Sequence, residues 1–133
     1  MFHAAKEIQF CYGHRLLNYA GKCRNFHGHN GTVEVKISTP SLDARSMVRD
    51  FSEIKSILKA WIDEHLDHRM ILNEKDPLRA TLEKAGEPTF VLPENPTAEN
   101  IARLIYETAK KSGLPVSSVT LWETPNSFAT YEE

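Results

Sequence analysis

The stretch CRNFHGHNGTVEVKIST, residues 23–39, decides how the rest of the chain is read. His27, His29, Val33, Val35 and Ile37 fall on alternate positions, which on an extended strand form one face; on a helix His27 and His29 would diverge. Gly28, between the two imidazoles, lets the main chain come close to whatever they hold. Just upstream, EIQFCYGH alternates in the same way and sets Ile8, Phe10, Tyr12 and His14 on a common face. His14 taken alone reads as a hydrogen-bonded core histidine. With the HGH pair it reads differently, because three neutral imidazoles on adjacent strands match a zinc centre with three protein ligands and an open position. Cys23 then has two roles open to it: a fourth ligand that closes the site, or a thiolate beside the metal acting as base or nucleophile. Cys11 has the opposite strand parity from Phe10 and reads as an ordinary small residue.

Composition narrows the setting of such a site. A chain of 133 residues with 41% hydrophobic and 26% charged content is expected to fold as one domain, residues 1–133, around a real core. The formal net charge is −2 and the cations form no long stripe, which argues against nucleic-acid binding. Two cysteines make no disulfide framework, and free thiols fit a reducing compartment. Lys6 and Glu7 interrupt the run that a signal peptide would need, and no apolar stretch reaches the roughly 20 residues that span a bilayer. The expectation is a cytoplasmic protein.

The rest of the chain supplies helices. In RDFSEIKSILKAWIDEH, Asp50 is placed to cap a helix, with Glu53 at the capping-box position and Phe51, Ile54, Leu58, Trp61, Ile62 and His65 in one stripe. A polar excursion with Pro and Gly follows over residues 73–96. A second helix begins at Pro96 or Thr97, carries Ile101, Leu104, Ile105, Thr108 and Ala109 at helical spacing, and stops at KKSGLP. VSSVTLWET is a strand and FATYEE a short final one. The order β-β-α-α-β-β lacks βαβ alternation and predicts an α+β fold, a four-stranded antiparallel sheet with both helices on one face.

Two acidic positions carry further chemistry. Asp67 and His68 follow the first helix, where a carboxylate can orient an imidazole that moves a proton; the same dipeptide also suits a plain polar loop. Glu123 is in register with Val119 and Leu121, so it points inward and needs a partner. A salt bridge would serve, and so would a ligand edge with two parallel N–H donors.

CRNFHGH, the Asp50–Phe51 pair, LDH, NPTAEN and the Glu123–Thr124 pair occur in this order, and together they resemble the 6-pyruvoyl-tetrahydropterin synthase and 6-carboxytetrahydropterin synthase family over nearly the whole chain. The resemblance implies a tunnelling fold (T-fold) whose subunits form trimers or stacked hexamers with active sites between subunits. It implies zinc on His14, His27 and His29, catalysis by Cys23 with Asp67 and His68 as the proton-handling pair, and a pterin anchored by Glu123 with help from Thr97 and Glu99. The implied substrate is 7,8-dihydroneopterin triphosphate. The implied product is 6-carboxy-5,6,7,8-tetrahydropterin with acetaldehyde and triphosphate, on the route to queuosine and other deazapurines. The alternatives are 6-pyruvoyl-tetrahydropterin synthase and a non-catalytic protein with a structural Cys–His₃ zinc. The sequence departs from the family pattern at CYGHRL, at Gly31, at Arg49 and in the length of the 73–96 excursion. Lys22, Arg24 and Arg15 are the cations available to a triphosphate.

Overall fold

The computed structural model describes residues 1–133. Two long strands, β1 (Phe2–His14) and β2 (His27–Thr39), pair antiparallel along their whole length, with Ile8 opposite Val33 and His14 opposite His27. Alternation produces this directly: Ile8, Phe10, Tyr12, His14, Val33, Val35 and Ile37 are all buried on one face. β5 (Val116–Thr124) adds antiparallel to β2, and β6 (Ser127–Glu132) adds antiparallel to β5. These four strands are the antiparallel sheet expected from the sequence.

The excursion holds the difference. β3 (Arg69–Asn73) pairs parallel with β1, and β4 (Thr89–Leu92) pairs parallel with β3, so the sheet has six strands in the order β4-β3-β1-β2-β5-β6. A short helix, α2 (Arg79–Lys84), connects them. Ile71 and Leu72 are both fully buried, one on each side, so RMILN shows no period of two and gives no strand signal in a single sequence. LDHRMILN is therefore a helix exit leading into a strand.

α1 (Phe51–His65) and α3 (Ala98–Lys111) pack on the same face of the sheet, burying Ile54, Leu58 and Ile62 from one and Ile101, Ile105 and Ala109 from the other into a single core with Val33, Val35, Val119 and Leu121. The Asp50 side chain accepts from the Ser52 N–H at 2.8 Å as the N-cap of α1. Glu53 does not complete the capping box; its carboxylate faces Arg45 and Arg49 instead. Phe51, expected in the apolar stripe, is exposed at the first position of the helix. Tyr106, one position past Ile105, is buried and widens the stripe of α3. No helix is long and apolar enough to cross a membrane.

Candidate active site

The β1–β2 register places three imidazoles together. His14 faces His27 across the ladder and His29 lies two residues further on the same side, opposite Tyr12. Ring centroids are 4.5 Å (His14–His27), 5.1 Å (His14–His29) and 5.2 Å (His27–His29) apart, and one nitrogen from each ring lies within 4.8 Å of the others. Main-chain carbonyls set the tautomers: His14 Nδ1 donates to the Pro96 oxygen at 2.6 Å and His27 Nδ1 to the Asn25 oxygen at 2.8 Å. The other ring nitrogen is then left as an acceptor, as a metal ligand must be.

Nε2 of His14 and Nε2 of His29 are buried without a hydrogen-bond partner. Orphaned acceptors of this kind are costly, and a shared cation satisfies both. Burial pushes the His14 imidazole below its ordinary pKa, with the neighbouring imidazoles adding to the effect against the Pro96 bond and the Glu123 charge, and so favours the neutral form that binds metal. The donor set fits a metal ion with three nitrogen ligands.

Glu123 closes one side of the cluster. Its Oε1 accepts from the Tyr12 hydroxyl at 3.3 Å and stands 3.7 Å from His14 Nε2, while Oε2 stands 3.5 Å from His29 Nε2. The inward register expected for Glu123 is the one observed. The buried Tyr12 is a further member of the site that its sequence context did not single out, although it shares strand parity with His14. Burial above all, and then the Glu123 carboxylate, raise the Tyr12 phenol far above its usual range, so it remains a donor.

A cavity of about 340 Å³ opens beside these groups and gathers His14, Cys23, Thr97, Glu99, Glu123 and Phe128 along its wall. Cys23 arrives on a single 3-10 turn, Lys22–Arg24, inside the loop between β1 and β2. Its thiol stands outside the three-imidazole group. Thr97 serves twice, lining the cavity and capping α3 by accepting from the Asn100 N–H at 3.2 Å. Of the cations noted near Cys23, Arg15 is not free for a ligand: it is bound to Asp76 through Nε at 2.7 Å and Nη2 at 2.5 Å and lies over the Phe26 ring at 4.9 Å. Lys22 and Arg24 are exposed.

Asp67 and His68 lie elsewhere. His68 lines a second cavity of about 620 Å³ with Cys11, Gly13, His27, Gly28 and Met70. Cys11, Gly13 and Gly28 have the opposite parity from His14 and His29, so this cavity opens on the face away from α1 and α3, with Leu82 of α2 on its wall. The two side chains do touch. His68 Nδ1 bonds Asp67 Oδ2 at 2.8 Å, and the Cys11 N–H donates to Asp67 Oδ1 at 2.9 Å. Burial pulls the Asp67 carboxyl upward, but the Cys11 N–H and the His68 ring outweigh it and hold the carboxyl below its usual range. His68 takes a left-handed φ of 57°, held by its N–H donating to the Cys11 carbonyl at 2.6 Å. One chain therefore brings together His14, His27, His29, Cys23, Thr97, Glu99 and Glu123, and sets Asp67 and His68 apart from Cys23.

Known proteins share this arrangement of strands and helices. The 6-pyruvoyl tetrahydropterin synthase family profile matches residues 3–133. A 6-carboxy-5,6,7,8-tetrahydropterin synthase of Haemophilus influenzae is 42% identical over 141 residues, covering 100% of both chains. One of Rickettsia bellii is 35% identical over 135 residues, covering 96% of this chain and 98% of its own. Among solved structures, a Wolinella succinogenes protein superposes with a TM-score of 0.82 at 30% identity, covering 99% of this chain and 98% of its own. The Caenorhabditis elegans 6-pyruvoyl tetrahydropterin synthase does so with a TM-score of 0.73 at 26% identity, covering 99% and 95%. With a family match across nearly every residue, full-length relatives above 30% identity and the same fold, the chain belongs to the 6-pyruvoyl tetrahydropterin synthase family.

Proposed function

We propose that this protein is a zinc-dependent 6-carboxy-5,6,7,8-tetrahydropterin synthase, converting 7,8-dihydroneopterin triphosphate and one water to 6-carboxytetrahydropterin, acetaldehyde and triphosphate. The observation that carries the choice of product is the full-length identity, 35–42%, to relatives that bear that name. His14, His27 and His29 would hold the metal; the fixed tautomers of His14 and His27 and the orphaned Nε2 atoms of His14 and His29 support that assignment. Bound there, zinc supplies a Lewis acid that acidifies the hydroxyls of the substrate side chain.

The chain's own groups bind the pterin and move protons. Glu123 accepts the paired N–H donors of the pterin edge, a match between a two-oxygen acceptor and a two-donor edge. Thr97 and Glu99, on the same cavity wall, hold the remainder of the ring. Cys23 takes up a proton from the side chain as a thiolate. His68, oriented by Asp67 through Nδ1, exchanges a proton at its free Nε2. Their separation within one chain supports sites assembled from neighbouring subunits in a trimer or hexamer.

A second reading, elimination of triphosphate alone to give the 6-pyruvoyl product, is favoured by the fold shared with the Caenorhabditis elegans synthase. Product analysis of zinc-loaded protein separates the two. Triphosphate and acetaldehyde released together support the carboxy product; triphosphate alone moves the assignment to the pyruvoyl product. Neither product, from folded zinc-loaded protein, overturns both.

A further inference from the structure

Between His14 and His27 the chain has no regular structure apart from the one 3-10 turn that carries Cys23. No ladder holds this loop in place, so other bonds must. They come from the two ends of the 73–96 excursion, which the proposed reaction otherwise leaves unused. At one end the buried Asp76 grips Arg15 through two bonds. At the other, Asn95 Oδ1 accepts from the Leu17 N–H at 3.0 Å and Asn95 Nδ2 donates to the Leu17 carbonyl at 2.9 Å. One side-chain amide thus satisfies both main-chain groups of a single residue, the job a neighbouring strand would do.

The amide is itself fixed. Asn73 Nδ2 donates to Asn95 Oδ1 at 3.1 Å, and the Asn95 carbonyl accepts from the Thr97 N–H at 2.8 Å and from Asn100 Nδ2 at 2.9 Å. Between the two clamps, the Leu16 N–H donates to the Cys23 carbonyl at 2.9 Å. Three consecutive residues are therefore tied, Arg15 to Asp76, Leu16 to Cys23 and Leu17 to Asn95. The residue after Asn95, Pro96, gives its carbonyl to His14. A single short segment braces both the Cys23 turn and one imidazole of the metal cluster.

We infer that Asn95 is a positioning residue for Cys23: its paired bonds to Leu17 hold the strand exit against which the thiol-bearing turn is set. The inference rests on Cys23 being the reacting thiol. Losing the pair frees the loop while leaving every proposed ligand in place, and a reacting group displaced by an ångström can lose as much as a hundredfold in rate.

The test uses zinc-loaded Asn95→Ala and Asn95→Asp. The aspartate keeps the acceptor for the Leu17 N–H and turns a second oxygen against the Leu17 carbonyl. Three quantities are measured: zinc per chain, kcat and KM for dihydroneopterin triphosphate, and the rate of Cys23 carbamidomethylation by iodoacetamide, resolved by peptide mass spectrometry. Zinc content unchanged, KM within about twofold, kcat lower by about tenfold or more and Cys23 labelled several times faster are the expected results. Labelling and kcat both equal to wild type in a folded variant overturn the inference. So does a fall in melting temperature with labelling unchanged, which marks Asn95 as a support of the fold alone. Failure of both variants to fold likewise overturns it. If the wild type turns over no substrate yet the variants label faster, the positioning stands and the proposed reaction falls.

Discussion

Cys23 is the residue on which the two zinc readings divide. Its thiol lines the cavity beside the metal cluster without belonging to the three-nitrogen group. Cys23→Ala is therefore expected to retain one zinc per chain and the wild-type melting temperature while losing turnover. A variant that loses zinc and unfolds would make the thiol a structural ligand. Tyr12 carries a second expectation at this scale. Its hydroxyl donates to Glu123 Oε1 at 3.3 Å, and its ring fills the space a side chain at Gly31 would occupy, where a Cβ would stand 2.9 Å from the ring. Tyr12→Phe removes one long hydrogen bond to a carboxylate, worth about 1 kcal/mol. A rise in KM of roughly fivefold with kcat unchanged is the expected result; a fall in kcat alone would place Tyr12 in the chemistry.

At the scale of elements, β1, β2, α1, α3 and β5 follow from patterns of two and of 3.6 residues, because each buries one face and exposes the other. β3 does not, because its buried pair Ile71 and Leu72 points to both sides. The excursion from β3 to β4 is anchored by Asp76, whose carboxyl the Arg15 guanidinium holds below the usual range against the opposing pull of burial. A folded-state pKa below the unfolded value gives stability that is whole above about pH 4 and drains away as pH falls through the folded value. With a chelator present so that metal does not enter, Asp76→Asn is expected to cost about 3 kcal/mol at neutral pH, since it leaves a partly buried cation without its partner. Its melting temperature should then fall less steeply than wild type below pH 4. Parallel acid limbs would show that the pair carries no part of the acid sensitivity.

The whole molecule poses the question that one subunit leaves open. Cys23 borders the cavity at α3, and His68, with 79% of its side chain exposed, borders the cavity on the opposite face of the sheet. The proposed sites between subunits bring the two together. Inactive Cys23→Ala and His68→Ala chains, unfolded together and refolded as mixed oligomers, are then expected to regain about one quarter of wild-type turnover, because one site in four draws both residues from intact chains. No recovery from mixtures shown by mass spectrometry to contain both chains would mean that each subunit uses its own pair.

Two kinds of information separate cleanly in this protein. The α+β class, the long antiparallel pair and the common face of His14, His27 and His29 are legible in the order of residues alone, because strand parity is a local property that survives folding unchanged; the β1–β2 register then gathers the three imidazoles. The inward turn of Glu123 is legible in the same way. What those groups meet is settled by the folded arrangement: Tyr12 against Glu123, Asp76 on Arg15, Asn95 on Leu17, and His68 on the face away from α1 and α3. The three bonded pairs lie 61–111 residues apart, and a bond between residues so distant depends on how the elements are arranged in space, which no local periodicity records.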